Sequence, residues 1–126
     1  MFVNTISNEL PPSQISALDE LRQGSVVFIH HPTKEISGGW MDVTYPLGNR
    51  DEVDAAIAGS NVEHVFCGHF HCEYEIHDDY SLYVTPSPAF DVDLYADTPK
   101  IGPARVPLRE IVIDGSDVKS KVIYLD

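Results

Sequence analysis

The sequence predicts an α/β fold: a mixed β-sheet followed by C-terminal antiparallel hairpins. Three observations predict it. Two apolar runs of strand length, residues 25–30 (SVVFIH) and 62–67 (VEHVFC), alternate with helix-period stretches in the order β-α-β-α-β. The first run is apolar throughout, as a strand buried on both faces requires. Beyond Cys72 the helical period disappears, and short apolar runs flank the turn signals Asp78-Asp79 and Asp114-Gly115-Ser116-Asp117, the mark of hairpins.

In chain order, residues 2–5 are short and partly β-prone. Pro11-Pro12-Ser13 opens a helix to about residue 22, with Ile15, Leu18 and Leu21 on one face and Gly24 as the stop. The strand at residues 25–30 ends in His30-His31-Pro32. Proline cannot donate to a sheet ladder, so both histidines belong where strand becomes loop. Residues 33–47 hold two adjacent glycines, a proline and no periodicity, which predicts a long loop of the kind that carries function. Asn49 is a cap for a helix through about residue 58; Asp51 and Glu52 favour its first turn, and Val53, Ala56 and Ile57 form its apolar face. The strand at 62–67 ends in Gly68-His69-Phe70-His71. Residues 74–77 and 81–85 form one hairpin, a Pro- and Asp-rich loop covers 86–103, and residues 105–114 and 118–125 form a second hairpin. No repeat, linker or low-complexity segment divides the chain.

Hydrophobic residues make up 43% of the 126 and charged residues 22%, an ordinary globular balance. No apolar run approaches the roughly 20 residues of a membrane span, and the start, MFVNTISNEL, lacks the basic and apolar regions of a signal peptide. The expectation is a cytoplasmic protein without a membrane partner. A formal charge of -12 argues against a nucleic-acid polymer as partner and suits a protein that gathers divalent cations. Cys67 and Cys72 do not form a C-x-x-C, and are expected as free thiols.

Chemistry concentrates at the two strand ends. Imidazole is the commonest neutral metal ligand, and open α/β sheets bind ligands at the carboxyl ends of their strands. If the strands ending in His30-His31 and in His69 and His71 are neighbours, three or four imidazoles converge on one crevice. Gly68 leaves room for a tight backbone turn beside a metal, and Phe70 can point into the core. His64, on a strand face, and His77, beside a turn, read as ordinary satisfied polar residues. Cys67, His69, His71 and Cys72 as a structural zinc site is disfavoured, because such sites draw ligand pairs from separated segments. A histidine triad needs a third alternating histidine, where Glu73 stands.

The runs VVFIHHPTKEISGGWMD, NRDEVDAAI, VEHVFCGHFHCEYEI and YVTPSPAF, in that order, resemble the C-terminal half of the cyclic-nucleotide phosphodiesterase branch of the calcineurin-like metallophosphoesterases. The match runs from about residue 25 to the end. The resemblance implies part of an αββα sandwich whose complete site holds two divalent cations (manganese, iron or zinc) and hydrolyses a small phosphoester such as a cyclic nucleotide. It implies His30, His69 and His71 as metal ligands. It places His31 in the supporting shell, with the choice between His30 and His31 open, and Asp42 near the site mouth beside Gly68. The family's D-x-H, G-D-x-x-D and G-N-H-D/E motifs have no counterpart; Gly48-Asn49-Arg50-Asp51 comes after H-H-P and has arginine in place of histidine. Residues 1–126 are therefore expected to be the C-terminal portion of one domain, inactive alone, and pairing with a second copy or with the missing half. The alternatives are a non-catalytic metal-binding or dimerisation fragment, or a glycerophosphodiesterase-type relative.

Overall fold

A computed structural model describes residues 1–103 and 105–125. The chain runs α1 (Pro12–Leu18), β1 (Val26–Phe28), α2 (Trp40–Thr44), α3 (Arg50–Ala58), β2 (His64–Cys67), β3 (Tyr74–His77), β4 (Ser81–Val84), β5 (Val106–Asp114) and β6 (Asp117–Leu125). Four strands form one sheet in the order β1-β2-β4-β3. β1, β2 and β4 are parallel, and β3 returns antiparallel to β4. The mixed sheet and the separate β5-β6 hairpin bear out the expected α/β class.

The sheet has two different faces. Val27, Val65, Leu82 and Val84 point to the side covered by Val53 and Ile57 of α3 and Leu18 of α1, forming the main core. On the opposite face, Phe28, Phe66 and Tyr83 are register partners across three strands, and they stack at 5.5 and 4.7 Å. Ile111 and Val118 of the β5-β6 hairpin pack on this row. Arg109 pins the hairpin there: its guanidinium donates to the Val84 carbonyl at 3.0 Å, Thr85 Oγ1 at 3.1 Å and Ser120 Oγ at 2.7 Å, and it pairs with Glu75 at 3.2 Å. Phe2 extends the row, stacked on Phe28 at 4.6 Å and 82% exposed.

Three local expectations change. Residues 33–47 are not a plain loop but contain α2, which is anchored by Asp42. Its carboxylate accepts the backbone N–H groups of Ile36, Ser37 and Gly38 at 2.9, 2.8 and 3.0 Å. Asn49 precedes α3 but makes no capping bond; its side-chain amide instead closes a two-way pair with the Leu10 backbone, at 2.9 and 3.0 Å. Helix α1 stops at Leu18, short of residue 22. Residues 2–5 contribute only an isolated parallel bridge, Phe2 to Phe28.

Candidate functional site

Parallel pairing of β1, β2 and β4 brings their carboxyl ends to one edge, where the loops carrying the histidines begin. Backbone bonds hold these ends in step: Gly68 N–H donates to the His30 carbonyl at 3.1 Å, and Thr85 N–H to the Cys67 carbonyl at 2.8 Å. His30 and His69, 39 residues apart in sequence, thus come face to face. His30 Nε2 and His69 Nδ1 are 3.1 Å apart. The His31 ring lies 4.2 Å from that of His69 and 5.0 Å from that of His30.

The protonation of His69 follows from its other nitrogen. His69 Nε2 lies 3.2 Å from the Tyr45 carbonyl oxygen. A carbonyl can only accept, so Nε2 carries the proton and Nδ1 turns its lone pair toward His30. Burial, then the neighbouring His30, holds the His69 pKa below the usual imidazole value. Burial is also the main reason that His31 falls to about 4, with His69 and His30 adding to it. His31 is buried and pairs with Thr5 Oγ1 at 2.7 Å. Its position supports the cluster from below, while His30 is exposed at the mouth.

His69 and His71 both have left-handed backbones, with φ of 65° and 53°. Such conformations are uncommon for residues other than glycine and cost on the order of 1 kcal/mol each. The two turns let His69 and His71 face outward while Phe70 between them is buried, 1% exposed. A Cβ at Gly68 would meet open space, so the tight turn belongs to the histidines that follow it. Sterics demand glycine at Gly39, where any Cβ would collide with the Leu94 carbonyl, and at Gly48, where it would press on the Asn8 carbonyl.

His71 stands apart from the other three, its ring 4.4 Å from that of Phe90. Its Nδ1 is buried without a hydrogen-bond partner among the described residues. A buried imidazole nitrogen without a partner is costly unless something else fills the role. Beside His69 and His71 lies a cavity of about 300 Å³ walled by Trp40, Met41, Tyr45, Phe90, Val92 and Ile101. Asp42 does not reach this space, because its carboxylate is occupied by the 36–38 backbone and sits 3.8 Å from Arg50.

The donor set suits a transition-metal cation in part. Two imidazoles on one tetrahedral ion at roughly 2.0–2.1 Å hold their nitrogens about 3.3 Å apart, close to the separation of His30 and His69. His71 Nδ1 is a further imidazole nitrogen without a partner among the described residues. Among the described residues, however, no three or more His, Cys, Asp or Glu side chains are grouped to hold one ion. Cys67 and Cys72 are buried free thiols; burial raises both pKa values, Cys72 to about 12, which keeps them protonated and poor ligands.

No family model matches the chain. Over 98 residues it is 33% identical to a probable cyclic nucleotide phosphodiesterase of Fibrobacter succinogenes, an alignment covering 73% of this chain. The chain spans 38% of the length of that curated relative. No described helix is long and apolar enough to cross a membrane.

Sequence reasoning pointed to His30, His31, His69 and His71, and the fold gathers the first three. It missed Thr5, the Tyr45 carbonyl and the aromatic walls Trp40 and Phe90. Thr5 lies 26 residues before its partner and has no motif around it.

Proposed function

We propose that this chain carries the histidine side of a metal-dependent phosphoester hydrolase, whose complete form cleaves a cyclic nucleotide. The observation that carries the reading is the 3.1 Å approach of His30 Nε2 to His69 Nδ1 at the ends of adjacent parallel strands. The likeness to a probable cyclic nucleotide phosphodiesterase supports the substrate class. His30 and His69 would hold one divalent cation (manganese, iron or zinc) and His71 would contribute to a second. When bound, the cations would supply positive charge and Lewis acidity toward the phosphoryl oxygens, in a chain whose own net charge is -12.

The protein's part is orientation. The Tyr45 carbonyl fixes the His69 proton on Nε2, and the Thr5 hydroxyl holds His31 beneath the cluster. Asp42 shapes the 36–38 turn that carries Trp40 and Met41 to the rim. Open space above Gly68 leaves the phosphoryl group an approach. In this reading further acidic or amide ligands come from another polypeptide segment or a second copy, and the chain alone is inactive. The partial donor set also favours a second reading, a metal-binding fragment without turnover.

The test is zinc and manganese binding by calorimetry on the wild type and on His69→Ala and His71→Ala, with bis-p-nitrophenyl phosphate hydrolysis measured in parallel. The expected result is metal bound by the wild type, weaker binding in both variants, and no turnover. A wild type that binds neither metal removes the proposal.

A further inference from the structure

The cavity beside the histidines is divided chemically. One end carries His69 and His71; the body is walled by Trp40, Met41, Tyr45, Phe90, Val92 and Ile101. Trp40 and Tyr45 meet edge to face at 5.3 Å, and Phe90 lies against His71 at 4.4 Å. The Lys100 ammonium at the rim is bonded to Asp93 at 3.0 Å. At about 300 Å³ the cavity is at the lower end of the range for small-molecule sites, roughly 300–1,000 Å³. It suits one ring system and not an extended chain.

A ligand matching this division has an anionic end for the histidines and a planar, weakly polar end for the aromatic walls. We propose that the cavity is a stacking pocket for the substrate's nucleobase, and that it accepts different bases. The assignment to a substrate rests on the phosphoester reading above; the ring-binding property does not. Tolerance follows from the lining, which among the described residues contains no Asn, Gln, Asp or Glu, the side chains that read adenine and cytosine edges. Stacking on aromatic faces gives affinity with little preference among bases, because every base has a π-face. The same pocket disfavours a glycerol group, which has no ring to stack.

Trp40 is the chain's single tryptophan, so its emission reports on the pocket wall without labelling. Adenosine, guanosine and uridine carry no phosphate and need no cation, so they probe the ring pocket alone. The full chain is titrated with each nucleoside and, as the ring-free control, with glycerol 3-phosphate. Saturable quenching by all three nucleosides is expected, with affinities within about tenfold of one another and no response to the control. Phe90→Ala and the more exposed Tyr45→Ala, each checked for folding by circular dichroism, should weaken nucleoside binding about tenfold. An unchanged Trp40 signal to about 10 mM nucleoside, or an equal response to glycerol 3-phosphate, overturns the pocket. Strong preference for one base overturns the tolerance. Zinc and manganese binding followed in parallel separates the two ideas. Either metal bound without a nucleoside response removes the stacking pocket alone, whereas a nucleoside response with neither metal bound removes the phosphoester reading and leaves the pocket.

Discussion

At the scale of single residues, the histidine cluster is organised by groups that have no chemistry of their own. The Tyr45 carbonyl selects the His69 tautomer, and Thr5 satisfies a buried nitrogen of His31. Removing the Thr5 hydroxyl leaves that nitrogen unpaired in a site from which water is largely excluded. Thr5→Val preserves shape, so its effect isolates the hydrogen bond. The expected loss is about 1–2 kcal/mol, read as a lower urea midpoint at unchanged slope. An unchanged midpoint would show that His31 finds another partner at no cost. The histidines were legible in the sequence because two clusters end apolar runs. Their supports were not, since a carbonyl has no side-chain signature and a threonine 26 residues away belongs to no motif.

At the scale of elements, a polar network beside the core ties the loop after β1 to α3 and to the β3-β4 turn. Lys34 Nζ pairs with Asp54 at 2.8 Å and Asp78 at 3.2 Å, and lies 4.4 Å from the Tyr80 ring centroid. The Tyr80 hydroxyl donates to Asp54 at 2.8 Å and meets Thr33 Oγ1 at 2.6 Å. Burial would lower the Lys34 pKa, but the bonds to Asp54 and Asp78 outweigh it and raise the value above 10.5. A raised folded pKa means stabilisation that is complete below 10.5 and lost as pH climbs through the folded value. Partial burial likewise fails to raise Asp78, whose bond to Lys34 holds it below 3.8; its contribution is present above 3.8 and lost as pH falls through the folded value. Lys34→Met should therefore cost about 1–2 kcal/mol near neutrality. The difference from wild type should shrink in urea titrations taken progressively above pH 10.5. A gap that persists at high pH would assign the effect to packing. The elements themselves were largely legible, because strands rich in apolar residues and hairpins around the turn signals Asp78-Asp79 and Asp114-Gly115 declare themselves locally. Helix α2 was not, for Trp40–Thr44 is too short to show a period, and its anchor is a carboxylate bonded to the backbone.

At the scale of the molecule, the aromatic row on the outer sheet face is incompletely covered. Phe2 is 82% exposed while stacked on a half-buried Phe28, and Val106, Val112 and Ile113 of the hairpin are each about half exposed. Exposed apolar surface of this kind favours association, whereas a net charge of -12 on each copy opposes it. Self-association should thus strengthen when salt rises from about 0.1 M to about 1 M, as the screening length falls from about 10 to about 3 Å. Phe2→Asp should weaken it at both concentrations. Light scattering that finds a monomer at micromolar concentration in high salt would mean that this face does not pair two copies.

The sequence by itself determined the strand ends at which the histidines stand, the hairpins, and the mixed character of the sheet. Each follows from patterns a few residues long: apolar runs, a proline after two histidines, turn dipeptides. Only the tertiary structure decided which nitrogens face one another, which of His30 and His31 is buried, that Asp42 serves the backbone instead of the cavity, and that Trp40 and Phe90 share a pocket with His71. Those outcomes depend on the lateral order β1-β2-β4-β3, which sets Val26 beside His64 and His64 beside Ser81. Local sequence carries little energy for such pairings; they follow from burying both faces of the sheet at once.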